Sequence, residues 1–171
     1  RRRAAAASPM EAQMSVPATP EGYHSVTPYL VVDDAKAALA FYSAALGAEE
    51  IFRLPMGDKI GHAEIRIGDS MLMLSDEWPD MDAYGPKHRG GATATFVIYV
   101  PDVDASFERA VKAGAKVDRP LNNEAWGDRM GTVVDPFGHK WSLATHIEDV
   151  PPEELKRRMD EWMKQQAGLT A

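Results

Sequence analysis

His62, Glu64 and Arg66 occupy every second position of one run, His62-Ala63-Glu64-Ile65-Arg66-Ile67, so a strand there carries all three on one face with their bases about 6 to 7 Å apart. A carboxylate beside an imidazole orients it and raises its pKa, as a general base requires. The same pair also serves simply to hold strand register, and the residues alone leave both readings open. Trp126-Gly127-Asp128-Arg129 is a second candidate: an aromatic on a glycine loop can cover a pocket, while a guanidinium offers a forked cation to a carboxylate or phosphonate. Equally, Trp126 can pack on a sheet edge and Arg129 pair with Asp128 or Glu124. Tyr29 and Tyr99 suit stacking on a planar ligand or simply filling the sheet's concave face, and Met71, Met73 and Met81 suit an adaptable apolar wall. His146 closes a strand and is expected at a rim. His24 and His139 fall at strand entry and turn, where solvent contact is expected, and His88 in the Gly-rich linker; no role follows for any of them.

What the chain lacks narrows the chemistry. Cysteine is absent, which excludes disulfides, thiolate metal sites and cysteine nucleophiles and fits a cytoplasmic setting. The formal net charge is -7. An acidic surface without a basic stripe argues against nucleic acid or an anionic membrane as partner, and no apolar run reaches the roughly 18 residues of a membrane span.

The elements that must position these residues come as a repeat. Val26–Val32 reads as a strand, Asp33-Asp34 caps a helix with apolar Ala38, Phe41, Ala45 and Leu46, and Gly47 stops it. Strands at Ile51–Leu54, Ile60–Ile67 and Met71–Ser75 follow, the last two joined by Gly68-Asp69. The order then recurs: strand Thr93–Val100, cap Asp102, a helix through Phe107, Ala110 and Val111, stop Gly114, and strands near Ala115–Asp118, Arg129–Val134 and Lys140–His146. Matching residues, such as Thr27 and Thr95 or Asp34 and Asp102, keep an offset of about 68. The expected fold is α+β, with two βαβββ modules forming curved mixed sheets and a C-terminal helix.

Five segments are expected in a chain of 171 residues. Residues 1–22 form a flexible lead-in whose first residues read as an expression remnant, 23–77 the first module, 78–92 a Gly- and Pro-rich linker, 93–147 the second module, and 148–171 a helix. In that helix Leu155, Met159, Trp162 and Met163 make one apolar stripe, which must cover its own sheet or a second copy. A homodimer is the expectation.

The paired starts Val32-Asp33-Asp34 and Val100-Pro101-Asp102, the Gly-Ala helix stops and the turn Asp135-Pro136-Phe137-Gly138 resemble the vicinal oxygen chelate superfamily of glyoxalase I, bleomycin-resistance proteins and extradiol dioxygenases. His62–Gly68, Met73–Glu77, Trp126–Arg129 and Ala144–His146 resemble its PhnB-like branch more closely. The resemblance runs from about Ser25 to Val150. It implies four inward metal-ligand positions, which fall on Thr27, Met73, Thr95 and Ser142. None of these is a competent donor for Zn, Ni or Fe, so no metal and no cofactor are expected and metal-dependent glyoxalase or dioxygenase chemistry is not.

Strand alternation leaves Thr27, Tyr29, Val31, His62, Glu64, Arg66, Met71, Met73, Ser75, Thr95, Val97, Tyr99, Ser142, Ala144 and His146 on the concave side. The resemblance then implies a metal-free protein that binds an aromatic or amphipathic small molecule, as bleomycin-resistance proteins do. Its expected ligand wall is Tyr29, His62, Glu64, Met73, Tyr99, Trp126, Arg129 and His146. The alternative is a lyase or isomerase, using His62 and Glu64 as acid and base or a relocated divalent metal at His62, Glu64 and His146.

Overall fold

A computed structural model of the chain describes residues 16–169. The expectation for the lead-in therefore lies outside the described residues up to position 15.

The first module is β1 (Tyr29–Val32), α1 (Ala35–Leu46), β2 (Glu49–Met56), β3 (Lys59–Ile67) and β4 (Ser70–Asp76). A short 3-10 turn, Pro79–Met81, and α2 (Pro86–Arg89) bridge to β5 (Thr95–Tyr99), α3 (Val103–Lys112), β6 (Lys116–Asn123), β7 (Asp128–Val134), β8 (Lys140–His146) and α4 (Pro152–Leu169). Asp34 and Asp102 cap α1 and α3 by accepting from the amides of Ala37 and Ala105. Gly47 ends α1 at φ 68°, the left-handed conformation that favours glycine.

Each module builds one four-stranded mixed sheet, ordered β1-β4-β3-β2 and β5-β8-β7-β6, with the first pair in each order parallel and the others antiparallel. The outer strands β2 and β6 run longer than their proline-interrupted sequences suggest. Pro55 and Pro120 are tolerated because both strands lie at sheet edges, and the register slips beside each of them.

One core joins the modules. Leu30, Val32, Ile65, Leu74, Trp141 and Leu143 enter it from the sheets, and Tyr42, Ala45, Phe107 and Ala110 from α1 and α3. Each fully buried apolar side chain there contributes roughly 1.5 to 3 kcal/mol. Polar ties cross the same boundary: Arg109 Nε donates to the Ala45 carbonyl at 3.1 Å, and His139 Nε2, 3.1 Å from the Val31 carbonyl, donates to it. His139 is thus half-buried and tied to β1, not solvent-facing as the turn position suggested, while His88 stacks on Tyr84 with ring centres 3.9 Å apart.

Asp135 explains the Asp-Pro-Phe-Gly turn. Its buried carboxylate accepts from the Phe137 and His139 amides, closing the turn, and from Tyr42 Oη and Trp141 Nε1. Burial first, and then the Asp135 charge, push the Tyr42 phenol well above its ordinary range. Since both sheets turn their helix-covered faces into this one core, their concave faces look away from it.

Candidate functional site

On the first concave face, β1 supplies Tyr29, β3 supplies His62 and Glu64, and β4 supplies Met73. The register sets Tyr29 beside Met73 and Glu64 opposite it. Tyr29 Oη lies 3.1 Å from His62 Nδ1, and His62 Nε2 lies 3.3 Å from Glu64 Oε1. An ionised Glu64 can only accept, so Nε2 carries the proton and Nδ1 receives the tyrosine hydroxyl. Hydroxyl, imidazole and carboxylate therefore form one relay.

Glu64 is held below its ordinary range, chiefly by the Tyr23 hydroxyl and further by His62, against the upward pull of burial. The Tyr23 hydroxyl is itself buried and pushed up to about 12, by burial and then by Glu64. It forms no hydrogen bond of ordinary geometry and acts on Glu64 through proximity. Phe52 and Leu54 of β2 pair in register with Glu64 and His62 and extend the same face with exposed apolar surface. Arg66 turns to the sheet edge, where Glu49 takes it.

The second concave face is organised by Asp128, which is only 3% exposed. Its Oδ2 accepts from Tyr99 Oη at 2.9 Å and Trp126 Nε1 at 3.1 Å, and its Oδ1 from His146 Nδ1 at 2.8 Å. Burial pushes this carboxyl up, yet the donors His146, Tyr99 and Trp126 outweigh it and hold the group below its ordinary range. His146 is raised in turn, by Asp128 and then by Asp149, whose Oδ1 meets Nε2 at 3.0 Å. A carboxylate on each ring nitrogen favours the protonated form of His146.

Gly127 lets this loop close. It sits at φ 95°, and a Cβ there would collide with the Glu148 carbonyl. Its own carbonyl accepts from the Ile147 and Glu148 amides, so the Trp126 loop is stitched to the chain leaving β8.

Tyr29, His62, Glu64 and Met73 thus gather on one sheet face, and Tyr99, Trp126 and His146 on the other. Arg129 joins neither. Alternation along β7 points it toward α3, where Nε and Nη2 grip both oxygens of Asp104 and Nη1 reaches Asn123, so its fork is already filled. The relocated metal site also fails within one chain. His62 and His146 belong to different sheets, and among the described residues no three His, Asp or Glu side chains converge on a metal-sized space.

The four positions that the resemblance assigns to metal do not fit one either. Thr27 Oγ1 donates to the His24 carbonyl, the Ser142 hydroxyl is buried against Thr132 Oγ1 at 2.8 Å, and Met73 and Thr95 add no imidazole or carboxylate.

Two hollows flank the faces. One of about 500 Å³ lies between Tyr23, Glu64 and Met71, and one of about 740 Å³ runs along β5 beside Trp141 and the Gly68–Ser70 turn. Neither is lined by His62, Trp126, Asp128 or His146. No helix among the described residues is long and apolar enough to cross a membrane.

A family model described as the Glyoxalase/Bleomycin resistance protein/Dioxygenase superfamily matches residues 22–143. An uncharacterized protein of Mycobacterium bovis is 43% identical over 139 residues, spanning 79% of this chain and 91% of that protein. Among solved structures, TioX from Micromonospora sp. ML1 is 27% identical, covering 72% of this chain and 99% of that one with a TM-score of 0.59. Protein PA1353 from Pseudomonas aeruginosa is 29% identical, with coverage of 73% and 99% and a TM-score of 0.58.

Proposed function

Because the chain belongs to the glyoxalase/bleomycin resistance/dioxygenase superfamily, we propose that it is a metal-free small-molecule-binding protein of the PhnB-like branch, acting in the cytoplasm. Its concave faces close into cups between two copies of the chain. The observation that carries this reading is the pair of uncovered sheet faces, with Tyr29, Phe52, Tyr99 and Trp126 exposed and turned away from the common core. Apolar sheet surface of this kind calls for a ligand or a partner. A second copy supplies the missing wall and also covers Trp162 and Met163 of α4, which are 53% and 52% exposed. The ligand is aromatic or amphipathic, as in resistance by sequestration, since the wall offers rings, thioether and a few fixed polar groups.

The relay from Tyr29 through His62 to Glu64 favours a second reading, metal-free proton transfer by a lyase or isomerase. Metal analysis of protein purified without chelator, with Ni, Zn, Mn and Fe titrations of thermal stability, tests the common premise. The binding reading requires no stoichiometric metal, and a stabilisation by metal that vanishes in His62→Ala contradicts it.

A further inference from the structure

Asp128 fixes what His146 can offer. Because its Oδ1 holds Nδ1, the imidazole presents only Nε2 to the surroundings, and Nε2 meets Asp149. Asp149 is fully exposed, lies in the irregular stretch between β8 and α4, and has no other hydrogen-bond partner among the described residues. An exposed ion pair of this type is weakly held, so its carboxylate leaves at little cost. Beside it stand Tyr99 and Trp126, 62% and 38% exposed, both anchored on Asp128 Oδ2.

We propose that the second concave face recognises an aromatic carboxylate, its ring against Tyr99 and Trp126 and its carboxylate on His146 Nε2, in the place that Asp149 fills in the free protein. The proposal rests on the small-molecule reading of the concave faces and assigns that site a ligand class. Charge favours an exchange over an addition. Asp128 is already matched by its three donors, and an extra anion beside Asp149 would be repelled, whereas swapping one carboxylate for another leaves the local charge unchanged. Asp149 thereby acts as a tethered competitor. Asp128 acts only through the groups that it holds and is a positioning residue.

Calorimetric titration of the full chain with 1-naphthoate and with the neutral analogue 1-naphthalenemethanol tests this. Wild type should prefer the acid. Asp149→Asn should tighten the acid by about fivefold and leave the alcohol unchanged, and His146→Gln should abolish the preference while the alcohol still binds. If acid and alcohol bind alike in wild type and both variants, or if acid binding ignores His146→Gln, carboxylate recognition is overturned and the small-molecule reading stands. If neither compound binds at millimolar concentration, both fall.

Discussion

The Tyr42 hydroxyl donates to Asp135 Oδ2 at 2.9 Å across 93 residues of chain, tying α1 of the first module to the β7–β8 turn of the second. Trp141 Nε1 shares the same oxygen at 2.9 Å, so one carboxylate fastens helix, turn and strand. Removing it leaves buried donors without partners, which is costlier than losing one donor. Asp135→Ala should lower unfolding stability by about 3 kcal/mol or more, and Tyr42→Phe by about 1 kcal/mol. Urea unfolding measures both, and equal small losses would contradict the fastening role.

Asp128 and His146 should titrate as partners. His146 is raised above its ordinary 6.5 by Asp128 and then Asp149, so its contribution is full below about pH 6.5 and is lost as pH rises through the folded value. Asp128 is lowered from 3.8, so its contribution is present above the unfolded value near 3.9 and is lost as pH falls through the folded one. Stability from this network is therefore greatest between the two. NMR titration of the imidazole should give a raised His146 pKa in wild type that drops in Asp128→Asn. An unshifted value in wild type would sink the assignment.

Gly127→Ala should both strain the backbone and drive Glu148 away. The cost is roughly 1 to 3 kcal/mol, with increased solvent exposure of Trp126 in fluorescence. A variant as stable as wild type would show that the chain after β8 is not stitched to the loop.

Self-association is the next expectation. Sedimentation should give about twice the 18.8 kDa of the chain, and Trp162→Arg should shift it toward monomer. A monomeric wild type would contradict the paired cups.

Much of this was legible in the residues. The repeat, the caps Asp34 and Asp102 and the alternation of β3 follow from local pattern, because each is set by neighbours within a few positions. Phe52 and Leu54 escaped, since a register shift between Glu50 and Phe52 breaks the simple alternation of β2. Asp128 escaped for a different reason. Local pattern starts the strand at Arg129, whereas extending it back one residue sets Asp128 opposite His146 and Arg129 on the reverse face. The Tyr42–Asp135 tie depends on how two modules dock, which no local signal encodes.

Amide shift mapping of isotope-labelled protein titrated with 2-naphthol tests whether the concave faces bind small aromatic molecules. Saturable shifts should gather at Tyr29, Phe52, His62, Met73, Tyr99, Trp126 and His146. Shifts confined to α4 or the helix-covered core, or no shifts at millimolar ligand, would contradict it.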